Sequence, residues 1–328
     1  MARLEGRAAP VTAARFPHVA RSAGHYESFY LRAVDPERPR GAWIRHTTHQ
    51  RPGQAPTGSV WCTFSDAEAG RPYAVKRTLP APEADPAGWI RIGESTFGPA
   101  GARGNAEAQG RSAAWDLAMR PASEPLRHLP REWMYRTPLP RTKLESPLPS
   151  AVFDGDLQIG GGAPVAVDGW PGMAGHNWGA EHAATWIWLH GVAFGGEPDA
   201  WLDLSVGRVR VGPVLTPWIA NGAVHVRGER LRLGGPRPAR VRATAAGCRV
   251  ELPGAVVEAR APEGQTVAWR YADPAGGEHH SLNCSIAEVR VRLERPAGLE
   301  LRSAHGGVYE LGIEPGDHGV EPEPFPDP

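Results

Sequence analysis

Forty glycines and 34 prolines are spread along the 328 residues of this chain, and that punctuation limits the fold more than any other feature. Proline removes a backbone donor and clashes inside a helix, and glycine weakens helix interiors, so long helices have almost nowhere to form. Short strands joined by tight turns remain. The residues between the breaks agree. In "AEVRVRLER" Val289, Val291 and Leu293 alternate with Arg290, Arg292 and Glu294, the period of a strand with one face in a core and one in water. "AVHVRGERLRLGG" alternates on either side of Gly228, which predicts a hairpin or bulge there. Alanine content favours a helix for "GRSAAWDLAMRP", yet Ala113, Trp115, Leu117 and Met119 share one side at period two, which predicts a strand. Runs such as "GHYESFYLRAV", "RGAWIRHTTH" and "TGSVWCTFSD" extend the pattern through the first half. The predicted fold class is all-β.

A chain this long exceeds the ~250–300 residues at which one core stops growing, so two packed units or one large β domain are expected. The stretch "RPASEPLRHLPREWMYRTPLPRTKLESPLPSAVF" carries seven prolines and reads as an extended connection with little regular pairing. It places a boundary near residue 150. The expected division is a disordered or extended N-terminus over 1–23, a first β unit over 24–150, a second over 151–314, and a frayed, acidic, Pro-rich tail over 315–328.

Lys+Arg and Asp+Glu both number 36, so no global field favours nucleic acid or an anionic surface. Residues 204–250 hold nine arginines against one acid, Glu229, which the alternation explains as solvated strand faces. The three cysteines, Cys62, Cys248 and Cys284, are odd in number and far apart, which suggests neither a disulfide framework nor a structural zinc site. The N-terminal residues lack the apolar core of a signal peptide, and no run of eighteen apolar residues occurs, so a soluble, cytoplasmic protein without a membrane span is expected.

The stretch "GMAGHNWGAEHAATWIWLHG", residues 172–191, holds three histidines and three tryptophans. As a metal site it fails by itself. His182 and His190 would sit about 26 Å apart on a strand or about 12 Å apart on a helix, and no HExxH occurs, so a metal needs ligands from elsewhere in the chain. Without GxSxG or a nearby cysteine, no nucleophile stands out, and the glycines do not match a dinucleotide or P-loop pattern. Read as β structure, Gly175 and Gly179 bracket "HNW", which is either part of a site or a turn in which His176 and Asn177 satisfy backbone groups, and a turn near Gly179 to Glu181 leads into the strand "ATWIWLHGVAF". Trp186, Trp188 and His190 then share one face, opposite Thr185, Ile187 and Leu189. Those rings either fill a core or line a barrel interior as an apolar cavity with a few polar tips.

With these residues, and with "HYESFYLRA", "GAWIRHTTH", the Pro-rich crossover, "LNCSIAEVRVRL" and "GGVYELG", the chain resembles the lipocalin-like superfamily of carotenoid 1,2-hydratases, tocopherol cyclases, AttH-like proteins and lipocalin-like Diels-Alderases. The resemblance spans roughly residues 24–314. It implies two lipocalin-like antiparallel β-barrel units packed together, a ligand site in or between them, and hydration, cyclisation or polyene-holding chemistry without a metal or other cofactor.

The expected function is therefore a metal-independent isomerase, cyclase or hydratase acting on a hydrophobic small molecule by acid–base chemistry. Glu27, His176, Glu181, His190 and Glu310 are the candidate proton donors and acceptors, because each sits in an aromatic strand or beside "HNW". Strand phase puts Glu27 with Phe29 and Leu31, and Glu310 with Val308, and a carboxyl in an apolar phase is either paired or functional. Arg45 and Asn177 would orient a polar substrate group, and Trp178, Trp186 and Trp188 would supply ring faces. Two alternatives use the same residues: a noncatalytic carrier of a hydrophobic ligand, and a structural module with filled barrels.

Overall fold

The computed structural model describes residues 12–295 and 298–325. Its architecture is two curled antiparallel sheets, one of 12 strands and one of 10 among the described residues, which form two lipocalin-like units. In the first, His25–Val34 lies at the middle, between Arg40–Gln50 and Val165–Gly179. The sheet curls until its far parts meet: the Tyr73 hydroxyl accepts from the Ser112 amide at 2.7 Å, and Arg111 Nη1 donates to the Ala74 carbonyl at 3.0 Å. In the second, Thr185–Gly191 pairs with Trp201–Arg208 and Leu299–Ile313. Tyr309 donates across that core to the Thr244 carbonyl at 2.7 Å.

The alternation holds where it was clearest. Ala113, Trp115, Leu117 and Met119 are buried on one face of Arg111–Pro121, and Val289, Val291 and Leu293 on one face of Glu278–Leu293. Each such large side chain contributes about 1.5–3 kcal/mol on leaving water. Arg227 and Gly228, both with positive φ, turn Ile219–Val226 back onto Glu229–Gly234, the backbone of a two-residue hairpin turn. The arginines of this hairpin do more than face water. Arg230 donates to the carbonyls of Glu124 and Pro125, and Arg232 to those of Arg127 and His128, which fastens the first unit's connection onto the second. Cys62, Cys248 and Cys284 are free and buried.

Five expectations need correction. Residue 150 lies inside an 18-residue strand, Thr142–Ile159, that pairs with Val165–Gly179 through three register shifts; bulges absorb Pro147 and Pro149, which an even ladder could not. The chain changes sheet between Gly179 and Thr185 instead. "HNW" is strand, not turn: a side chain at Gly175 would overlap the Tyr30 ring, so that glycine serves close packing. The tail is anchored up to residue 325, with Phe325 buried beside Trp269, Glu323 paired with Arg111 at 2.6 Å, and the Glu323 amide on the Ala268 carbonyl. Residues 12–23 are likewise tied down, by the Arg15 and Phe16 amides on the Glu27 carboxylate; residues 1–11 and 326–328 lie outside the described residues. Finally, Ile187 and Leu189 enter the second unit's core, while Trp186, Trp188 and His190 point out of it, towards the first unit. Aliphatic side chains suit a closed interior, whereas rings with N–H groups need polar partners, which the seam supplies.

Those partners make the seam a set of buried polar tethers. Arg32 is fully buried and reaches from the first unit to the carbonyls of Ser285 and Gly306 and to His190 Nδ1, at 3.0–3.1 Å. Since Arg32 can only donate, His190 accepts at Nδ1 and donates from Nε2 to the Pro149 carbonyl at 3.0 Å. Burial and the adjacent guanidinium press the His190 pKa down to about 3, so the ring is neutral. Asp203 is the second tether. It accepts from Trp188 Nε1 at 3.1 Å, from Ser146 and from His128 Nε2 at 3.2 Å. Burial alone would raise its carboxyl, but His128 and its other partners hold it at about 2. Among the described residues no helix is long and apolar enough to cross a membrane.

Candidate functional site

A cavity of about 220 Å³ opens between the two units. Period-two geometry builds its walls. Along His25–Val34, Tyr26, Ser28 and Tyr30 face the cavity side while Glu27, Phe29 and Leu31 enter the first unit's interior. Register carries Arg45 to the same face, opposite Tyr30, and Asn177 opposite Ser28. The second unit contributes Trp186 and Trp188 from one strand and Glu310 from its neighbour, where Trp188 and Glu310 are register partners. His182, in the crossover between sheets, and Tyr271 also belong to this wall.

The polar groups are few and held. Arg45 Nε donates to Ser28 Oγ at 2.5 Å, and its guanidinium lies 4.2 Å from the Tyr271 ring centroid and 5.4 Å from that of Trp61. Ring faces, not an ion pair among the described residues, balance its charge. Glu310 accepts from Trp186 Nε1 at 2.8 Å and from Asn283 Nδ2 at 3.2 Å, so its carboxyl is fixed at the cavity wall. Burial pushes the Tyr26 and Tyr30 phenols far above the usual range, which keeps both as hydrogen-bond donors. The Asn177 side-chain oxygen is buried without a partner, a cost of roughly 1–3 kcal/mol that a donor on a ligand would relieve.

Of the candidates from the sequence, Glu310, Arg45, Asn177, Trp186 and Trp188 line the cavity. The others go elsewhere. His176 and Glu27 are fully buried together at the end of the first unit, with Nε2 2.7 Å from Glu27 Oε1 and Nδ1 3.1 Å from Glu145 Oε1. Both ring nitrogens face carboxylates, so the imidazolium form donates to both. Burial opposes that charge, but the two carboxylates raise His176 above its ordinary pKa. Burial likewise would raise Glu27; the bond from His176, His25 at 3.5 Å and the Arg15 amide hold it at about 2. Trp178 stacks on His176 at 4.5 Å, on the face away from Asn177. Glu181 is partly exposed and paired with Arg141 at 2.9 Å, and His190 belongs to the seam.

Sequence reasoning did not select Tyr26, Tyr30, His182, Tyr271 or Asp273. Tyr26 and Tyr30 were within reach, because they alternate with Glu27 and share a face with Ser28. Asp273 was not: its Oδ1 accepts from the His182 amide at 2.7 Å and lies 2.9 Å from His182 Nδ1, across 91 residues of chain.

No protein-family model matches the sequence, and no curated protein matches it. Solved structures do match. CghA, in a structure with Sch210972, gives a TM-score of 0.60 at 13% identity over 89% of this chain and 88% of its own. A Nitrosomonas europaea protein described as an AttH gives 0.52 at 14% over 94% and 98%. Kievitone hydratase from Nectria haematococca gives 0.53 at 10% over 93% and 94%. At these identities the likeness is one of fold: the two lipocalin-like units of the sequence resemblance are present.

Proposed function

We propose that the protein is an isomerase, cyclase or hydratase that converts a hydrophobic small molecule in the cavity between its units, by proton transfer from its own side chains. One observation carries this reading: a buried cation, Arg45, and a buried carboxyl, Glu310, come from opposite units to one aromatic-walled cavity. Arg45 and Asn177 bind a polar end of the substrate, ring faces of Trp186 and Trp188 hold the apolar part and stabilise developing positive charge, and Glu310 exchanges the proton. The cavity, at about 220 Å³, is below the ~300–1,000 Å³ of typical small-molecule sites. It suits a compact substrate or one end of a longer one. Two proteins of the same fold support small-molecule chemistry, CghA with Sch210972 and kievitone hydratase.

The bonds from Trp186 and Asn283 to Glu310 also fit a second reading, a carrier whose cavity carboxyl is structural. Organic extraction of protein from its native host, with mass spectrometry of the extract, identifies the bound compound. Turnover of that compound, lost in Glu310→Gln with binding retained, supports catalysis. Binding without turnover by the wild type supports carriage, and recovery of no compound together with no binding of lipophilic probes removes both.

A further inference from the structure

We propose that His182, Asp273 and His279 form a binding site for a divalent transition-metal ion of the zinc type. The site adjoins the cavity but does not depend on the reaction proposed above, whose proton-handling carboxyl, Glu310, lies elsewhere on the wall. Three separate pieces of chain build it. His182 comes from the crossover between the sheets, Asp273 follows the strand Val267–Ala272, and His279 is near the start of Glu278–Leu293. The turn through Gly276 and Gly277, both with positive φ, folds the last two together.

The donor atoms fit an ion. His182 Nδ1 is 2.9 Å from Asp273 Oδ1, His279 Nδ1 is 3.1 Å from Oδ2, and one ligand atom from each residue lies within 4.8 Å of the others. Zinc bonded at ~2.0–2.2 Å to each ligand wants them roughly 3.4 Å apart. Each imidazole nitrogen already lies near that distance from one carboxylate oxygen, Oδ1 for His182 and Oδ2 for His279, and the set of one atom per residue closes from within 4.8 Å by small side-chain rotations. Two imidazoles and a carboxylate suit zinc, iron, cobalt or manganese better than magnesium or calcium, which take oxygen donors. The set carries one negative charge and leaves coordination positions open.

A second observation separates this arrangement from a carboxylate merely hydrogen-bonded to two rings. His279 Nδ1 is buried and 3.1 Å from Asp273 Oδ2, yet makes no hydrogen bond. Its in-plane lone pair or proton is therefore not aligned on that oxygen and stays open to another partner, whereas His182 Nδ1 is hydrogen-bonded to Oδ1 and exchanges that bond for the ion. The Asp273 carboxylate is meanwhile oriented by the His182 amide at 2.7 Å, the kind of support that fixes a metal ligand.

The test uses the full-length, untagged protein, stripped with a chelator and titrated with zinc chloride by calorimetry, with elemental analysis of the unstripped protein beside it. One zinc per chain, a melting temperature that rises with zinc, and no response to magnesium are expected. Asp273→Asn and His279→Gln each weaken zinc binding at least ten-fold, and cobalt in place of zinc gives visible absorption bands that both variants lose. Glu310→Gln binds zinc as the wild type does, so loss of turnover and loss of metal are read separately. No zinc heat and no melting shift in the folded wild type, or equal binding by wild type and both variants, overturns the site.

Discussion

Two clusters in this protein are made of the same groups in inverted proportion. At the end of the first unit one imidazole, His176, lies between two carboxylates, Glu27 and Glu145; beside the cavity one carboxylate, Asp273, lies between two imidazoles, His182 and His279. The first is sealed, with Glu27 and His176 at 0% exposure, and Thr12, Arg127 and the Arg15 and Phe16 amides occupy the remaining carboxylate oxygen positions. Its ring is held charged. In the second, His182 is hydrogen-bonded to one carboxylate oxygen, and His279 Nδ1 is buried beside the other without a hydrogen bond. A carboxylate surplus stores a proton and closes a barrel, whereas an imidazole surplus offers ligands.

Removing the ring from the sealed cluster is the strongest way to break this contrast. His176→Leu leaves Glu27 and Glu145 buried without their shared counter-charge, which costs about 3–5 kcal/mol, measured as a fall in the urea midpoint at unchanged slope. A loss below 1 kcal/mol would show that the pair relaxes to solvent.

The pH dependence of the same cluster comes next. His176 is raised above its ordinary value, so its contribution is complete below about pH 6.5 and is lost as pH rises through the folded value. Glu27 is lowered from 4.5 to about 2, so its contribution is complete above about pH 4.5 and is lost as pH falls towards 2. Stability of the wild type relative to His176→Gln therefore shrinks on the alkaline side. Relative to Glu27→Gln it shrinks on the acid side, by on the order of 3 kcal/mol. Parallel stability curves for wild type and variants between pH 3 and 9 would remove the assignment.

At the cavity, Glu310→Gln lowers kcat by roughly 10²-fold or more with KM little changed, while Arg45→Met raises KM more than it lowers kcat. The reverse split would exchange their roles. The smallest effect sharpens the comparison: without added metal, His279→Gln shifts stability by less than about 1 kcal/mol, because that ring neutralises no buried pair. A loss as large as that of His176→Leu would make the second cluster structural like the first.

Most of the strands, and the inward phase of Glu27, could be read directly from alternation; Glu310, expected inward with Val308, instead leaves the core of its unit. The consequences of phase could not be read. Glu27 and Glu310 each share a phase with apolar residues, yet Glu27 enters the first unit's interior and is absorbed by His176, whereas Glu310 points out of the second unit's core, which Tyr309 and Leu311 enter, and faces the cavity. Nothing within either strand distinguishes the two, since the deciding partners are Glu145 and His176 in one case and Trp186 and Asn283 in the other. The Pro-rich stretch misled for a related reason: bulges accommodate prolines only against a partner strand that the local sequence does not reveal.

The order of residues alone determined that this chain is built of strands, where hairpins turn, and which side chains travel together on a face, because side-chain alternation and turn chemistry act over a few residues. Tertiary structure alone decided which face is interior and which imidazole meets which carboxylate. Those outcomes depend on sheet curl and on contacts spanning 91 residues for His182 and Asp273 and 149 for His176 and Glu27, where burial and pairing, not local geometry, set the energy.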